Sequence, residues 1–201
     1  MIVKLYILIT LIHYFLNKNK NKQLLLLLML GFSNSLVSTV FIYYDIPIYF
    51  NTFCYIVFHT LVWLYILKME VFIKKAITII MVLFSIVSVI QIINVSNLTD
   101  VNAPRLFIIG ALSYVLFFLL LCFSRLKEEN LTFFTHHNFI LLFSPVLFFI
   151  GFSLIFAFSN KKLNDTIIWG GINLFNLISY FINFTYYSLI NFYIFKERKH
   201  L

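Results

Sequence analysis

Apolar residues run through this chain in long blocks, broken at short intervals by clusters of Lys, Asn and Glu. The blocks are too long, and too evenly apolar, for the alternation of a half-buried strand, so they predict helices. Seven of them read as membrane spans, at residues 2–16, 24–44, 48–67, 76–94, 106–124, 139–159 and 166–195. Crossing a bilayer core takes about 20 residues at a rise of 1.5 Å each. The first block is short by that measure. The seventh has 30 residues, so it must tilt, project into the cytoplasm or break near Gly170 and Gly171. The expected fold class is all-α: a polytopic membrane helix bundle forming a single seven-helix domain over residues 1–201.

Composition supports that reading. The chain is 62% hydrophobic and 11% charged, with a mean hydropathy of +0.98. A soluble domain carries about 25% charged residues. The net charge of +8 does not point to nucleic acid, because the basic residues flank the apolar blocks. Segments 17–23, 68–75, 125–138 and 196–201 hold eleven of the fifteen Lys and Arg, while Lys4, Arg105, Lys161 and Lys162 fall on the other side. The positive-inside rule then places the N-terminus outside and the C-terminus in the cytoplasm, with a bacterial inner membrane as the expected location. Tyr43, Tyr44, Tyr49 and Trp169 suit the outer interface, and Trp63, Tyr65 and Tyr193 the inner one. The first block has no basic stretch before it and no small-residue cleavage site after it, so it reads as a retained helix. Cys54 and Cys122 lie within spans, outside any CxxC pattern, and read as free thiols.

Polar residues inside spans are where function is sought in a membrane protein. The seventh span carries Asn173, Asn176, Tyr180, Asn183, Tyr187 and Asn191 at spacings of 3, 4, 3, 4 and 4. Such spacing places them on one helix face, along roughly 27 Å. Asn34, Ser35, Ser38 and Thr39 of the second span, Ser85, Ser88 and Gln91 of the fourth, and Ser113 and Tyr114 of the fifth lie at comparable depth. The candidate ligand-binding set is Asn34, Ser38, Tyr114, Asn173, Asn176, Tyr180, Asn183 and Tyr187. Two readings stand side by side: the wall of a ligand cavity, or hydrogen bonds that glue helices together. Pro145, preceded by Ser144 and followed by Gly151, predicts a kink that is either a hinge or a static bend.

Histidine changes charge near physiological pH, so His13, His59, His136 and His137, all towards the inner side, are candidates for pH sensing. No HxxxH or HExxH pattern accompanies them, so no metal is expected. No Asp or Glu lies deep in a span: Asp45 and Glu70 sit at span ends, and Glu128 and Glu129 in a loop. Carboxylate-driven ion transport therefore lacks its usual carrier. The seventh span has no mid-span Lys for a retinal Schiff base, and neither a GxSxG elbow nor a phosphate-cradling glycine loop is present. No cofactor is expected. The sequon at Asn97–Thr99 carries no weight in a bacterial protein.

The runs PRLFIIGALSYVLFFLLLCFSRL, NFILLFSPVLFFIGFSLIFAF and WGGINLFNLISYFINFTYYSLINFYIF resemble small seven-helix membrane proteins of Bacteroidota, some encoded near sensor histidine kinases. Ser113, Tyr114, Trp169, Asn173, Asn176 and Tyr180 carry the resemblance. Val146, Leu147, Phe148 and Phe149 depart from it, standing where the group has a Phe-Trp pair before its glycine. The resemblance implies a regulatory neighbourhood and no particular chemistry. The function expected is a non-enzymatic sensory or regulatory membrane module. It would bind a small or lipid-like ligand and act through a partner protein. The alternatives are a facilitator or channel for a neutral solute, and a structural subunit of a larger membrane complex.

Overall fold

The apolar blocks fold as helices close to the expected bounds. The computed structural model describes residues 2–17, 21–93, 103–157 and 166–198. Asn94, Asn97–Thr99 and Ser159 lie outside those residues, as do Lys18, Lys20, Lys161, Lys162, Lys199 and His200. The elements are α1 (Ile2–Leu16), α2 (Lys22–Tyr43), α3 (Tyr49–Glu70), α4 (Lys74–Ile93), α5 (Ala103–Lys127), α6 (Thr132–Thr135), α7 (His137–Ala157), β1 (Ile167–Trp169), β2 (Ile172–Asn173) and α8 (Leu174–Arg198). Among the described residues, α2, α3, α4, α5 and α7 are each long and apolar enough to cross a membrane, and Val3–Leu16 is a shorter apolar helix. The chain is a multi-pass helical membrane protein. At 25 residues α8 is also long enough, but its own asparagines and tyrosines dilute its hydropathy.

The fold is all-α as expected, but the seventh block departs from its predicted span at its start. It does not begin as helix at Thr166: Ile167–Trp169 and Ile172–Asn173 pair as a short antiparallel hairpin. Gly170 (φ +56°) and Gly171 (φ +82°) form its two-residue turn. A turn with both central residues at positive φ matches the twist of a hairpin, and glycine alone enters it without strain. The helix starts only after Asn173, whose side-chain oxygen accepts the Asn176 backbone N–H at 3.0 Å. That is an N-terminal cap, and it satisfies a donor the first turn would otherwise leave open.

The chain divides into two compact units. Residues 20–128 hold α2 to α5. Half of the α3 span is buried, against 22% for α2 and 17% for α4, so α3 is the central helix. It packs against α2, α4 and α5. Trp63 of α3 is fully buried, edge-on to the ring of buried Tyr114 of α5 at 6.2 Å. Trp63 thus faces the core of this unit. Tyr43, Tyr44 and Tyr49 are exposed where α2 turns into α3. That turn closes with Asp45 N–H donating to the Ile42 carbonyl at 3.3 Å and Ile46 N–H to the Phe41 carbonyl at 2.8 Å. Asp45 takes φ 53°, the left-handed cap position, and Pro47 stops the helix from resuming. At the opposite end, Arg125 donates to the Glu70 carbonyl at 3.4 Å and lies 5.2 Å from the Phe72 ring centroid. The C-terminus of α5 therefore sits beside the α3–α4 turn, and Lys68, Lys74, Lys75 and Arg125 gather at one end of this unit.

Residues 1–19 and 129–201 form the other unit, with α8 packed against α7 and α1. Pro145 lies inside α7 and cannot donate to the Leu141 carbonyl one turn back. The buried Ser144 hydroxyl takes that place, donating to Leu141 O at 2.8 Å. Six residues on, Gly151 lets α7 approach α8: a Cβ there would stand 2.5 Å from Ile182 Cδ1.

Gly110 tests the packing of the four-helix unit. A Cβ there would lie 2.7 Å from Thr60 Cγ2 and 3.1 Å from Phe84 Cε2. Gly110→Ala is expected to destabilise the protein in detergent by about 1–3 kcal/mol through overpacking. Thr60→Ser removes the nearer methyl, so adding it to Gly110→Ala should recover part of the loss. Equilibrium unfolding of the single and double variants checks this, and additive losses would contradict the contact.

Candidate functional site

The hydroxyls of the spans mostly bond to their own helices. Thr39 donates to Ser35 O, Ser85 to Met81 O, Ser88 to Phe84 O, Ser113 to Ile109 O and Thr185 to Phe181 O, all between 2.7 and 2.9 Å. A hydroxyl bonded this way is satisfied within its own segment, as a hydrocarbon environment requires. Each of these hydroxyls is engaged within its own helix.

The asparagines do more. In the four-helix unit the Asn51 amide of α3 donates to Asn34 Oδ1 at 2.9 Å and Ser38 Oγ at 3.0 Å. Asn34 and Ser38 thus belong to an α2–α3 clasp. Asn51 went unnoticed in the sequence, although it is a lone amide in the first turn of an otherwise apolar helix. Tyr114 is sealed against Trp63. His59, also buried, accepts the Trp63 indole N–H at Nε2 over 3.3 Å. Accepting there requires Nε2 without a proton, so the ring sits in its Nδ1–H form.

In the other unit the polar face of α8 divides along its length. Asn173 is the helix cap, Asn176 is exposed, and Tyr180 is 37% exposed. Asn183 is buried and its amide bonds back to Ser179 O at 2.8 Å; Tyr187 is buried against Tyr186, ring centroids 4.9 Å apart. Tyr193, expected at the inner interface, is likewise buried. Asn191, one turn beyond Tyr187, makes the decisive contacts. Its amide donates to Thr10 Oγ1 and to Tyr187 O, both at 2.8 Å. Its Oδ1 lies 2.8 Å from His13 Nδ1. With both amide hydrogens spent, Oδ1 must accept, so His13 carries its proton on Nδ1. Buried Thr10 passes its own hydrogen to Tyr6 O at 2.8 Å, completing the chain. His13 is therefore part of the α1–α8 seam.

Two cavities open in this unit. One is a groove of about 320 Å³ between α7 and α8, walled by Leu147, Gly151, Leu154, Ile178, Phe181 and Ile182 among others. Its one hydroxyl, on Thr185, is already bonded to Phe181 O. The groove offers shape and apolar surface and no polar recognition. None of the eight ligand candidates lines it. The second cavity, at the far end of α8, is lined by His136 and His137. Among the described residues no three His, Cys, Asp or Glu side chains come together as a metal site. No family model, curated protein or solved structure matches the chain.

Asn191 and Asn176 occupy the same sequence pattern but different surroundings, and their substitutions should separate. Asn191→Leu is expected to cost roughly 1–2 kcal/mol, since single interhelical hydrogen bonds in membranes average about 0.6 and reach about 1.7 kcal/mol. Asn176→Leu should change stability by less than about 0.5 kcal/mol. Unfolding midpoints in one detergent decide it: equal losses would mean the α1–α8 network does not hold the helices.

Proposed function

We propose that the chain is a non-enzymatic regulatory module of a bacterial inner membrane. It takes a lipid-like ligand from the bilayer into the α7–α8 groove and passes its occupancy to a partner protein. The observation that carries this reading is the groove itself: about 320 Å³ of apolar space with its only hydroxyl already satisfied. A volume of that order matches the lower range of ligand cavities, about 300–1,000 Å³. The groove lies between two membrane-length helices, so hydrocarbon chains are the molecules that meet it. A polar solute would gain nothing there. The hydroxyls and amides that a facilitator would need along a hydrated path are engaged in back-bonds and clasps.

The same reading takes all seven apolar blocks across the membrane, with the N-terminus outside. Eleven basic residues against four support that orientation. So does the gathering of Lys68, Lys74, Lys75 and Arg125 at one end of the four-helix unit. A partner protein would carry the output of the module. The resemblance to proteins encoded beside sensor kinases points to a signalling protein in that role.

Ile178→Trp should fill the groove from α8 without touching the α1–α8 seam. Protein purified from native membranes into nanodiscs is expected to retain an apolar ligand by native mass spectrometry, and Ile178→Trp to lose about nine-tenths of it, a tenfold drop in affinity. Equal retention by both proteins, or no ligand in either, would sink the proposal. Reporter fusions test the orientation separately: alkaline phosphatase should be active when joined after Asp45 and inactive when joined after Glu129. The reverse pattern would turn the topology over.

A further inference from the structure

The second cavity has a different chemistry. It occupies about 430 Å³ where α6, α7 and α8 meet, and its wall includes Thr135, His136, His137, Phe192, Phe195 and Lys196. No carboxylate lines it. The His136 and His137 rings lie 3.9 Å apart at 36°. Two imidazoles this close repel one another when both are protonated, and an anion in contact with both removes that penalty. The His136 Nδ1 accepts the Asn138 backbone N–H at 3.3 Å. The neutral ring therefore carries its hydrogen on Nε2, and that nitrogen remains a donor in either protonation state. Lys196 Nζ stands 5.0 Å from the Phe192 ring centroid, a cation–π contact that holds the ammonium at the rim. The 21-residue helix α7 begins at His137, so the positive end of its dipole adds to the same field.

We propose that this cavity binds the phosphate group of an anionic membrane lipid. Two imidazoles, one ammonium and a helix end supply donors and positive charge, and phosphate is the anion that uses several at once. The phenyl rings of Phe192 and Phe195, each nearly half exposed, supply an apolar wall that a free anion has no use for and a lipid's glycerol and upper chain do. The site stands at the end of α8 that the basic loops assign to the cytoplasm, the leaflet where anionic lipids concentrate. It shares no lining residue with the α7–α8 groove.

The test uses the full chain in phosphatidylcholine nanodiscs doped with phosphatidic acid, read by native mass spectrometry and by thermal unfolding. Wild type is expected to retain phosphatidic acid about tenfold over phosphatidylcholine and to melt higher in its presence. The combined His136→Gln, His137→Gln and Lys196→Gln variant should lose that enrichment. Lys68→Gln, which removes a basic residue elsewhere, and Ile178→Trp, which fills the groove, should keep it. Should the triple variant fail to fold, Lys196→Gln alone, at the exposed end of α8, is expected to halve the enrichment or more. Absence of enrichment in wild type would overturn the proposal, as would full enrichment in the folded variant. Inorganic phosphate added to phosphatidylcholine nanodiscs separates the two sources: stabilisation equal to that given by phosphatidic acid would replace the lipid with a soluble phosphate and overturn the assignment.

Discussion

Hydrocarbon cannot hydrogen-bond, and that constraint decides the conformation of many polar groups among the described residues. In water an unpaired hydroxyl or amide finds a solvent partner; in a bilayer it must find one in the chain. Most Ser and Thr residues meet the requirement locally, by donating to the carbonyl one turn back. Pro145 shows the same rule from the other side. Its ring removes a donor, and Ser144 donates to the orphaned Leu141 carbonyl. The carbonyl is thereby satisfied in place, and α7 runs unbroken through the proline. Asn has two hydrogens and an acceptor, enough to serve a second helix. Asn51 reaches across to α2 and Asn191 to α1, while Asn183 bonds back to its own helix.

Association of helices in lipid gains nothing from hiding apolar surface, because the lipid is as apolar as the helix. What remains is close packing and hydrogen bonds, and the chain spends both sparingly. At Gly110 and Gly151 a side chain of a neighbouring helix occupies the space that a Cβ would need. At Gly110 the space is filled by Thr60 and Phe84. At Gly151 it is filled by Ile182, and the same missing side chain leaves part of the α7–α8 groove wall open. One substitution thus serves two ends: it draws the helices together and leaves room beside the contact.

Span positions were legible because their signal is length and apolarity, which sequence states directly. The start of α8 was less so. Residues 166–173 are as apolar as a helix would be, and hydropathy does not distinguish a β-turn glycine pair from a tolerated one within a span. The paired glycines did mark a break, but the hairpin and the capping role of Asn173 depend on positive φ angles that only the fold displays. The polar face of α8 was legible as a face through its spacing of three and four. Which of its members are buried depends on where α1 and α7 stop, and that is tertiary information. Trp63 and Tyr193 are residue types of a membrane interface, and both turn their rings into the protein, against Tyr114 and His137. The His136–His137 pair was visible as two adjacent letters; its cavity became visible only when α8 brought Lys196 and Phe192 alongside.

The continuity of α8 ties these features together. Ile178 and Ile182 face the groove, Asn191 holds α1, and Phe192 and Lys196 edge the cavity of His136 and His137, all on one unbroken helix. Ile182 packs against α7 at Gly151, where a Cβ would stand 2.5 Å from its Cδ1. Apolar contacts tolerate sliding, because dispersion falls off gradually and in every direction alike. Hydrogen bonds do not: they weaken steeply with misalignment. The contact between α8 and α1 most sensitive to alignment is therefore Asn191, whose amide donates to Thr10 and whose Oδ1 lies 2.8 Å from His13 Nδ1.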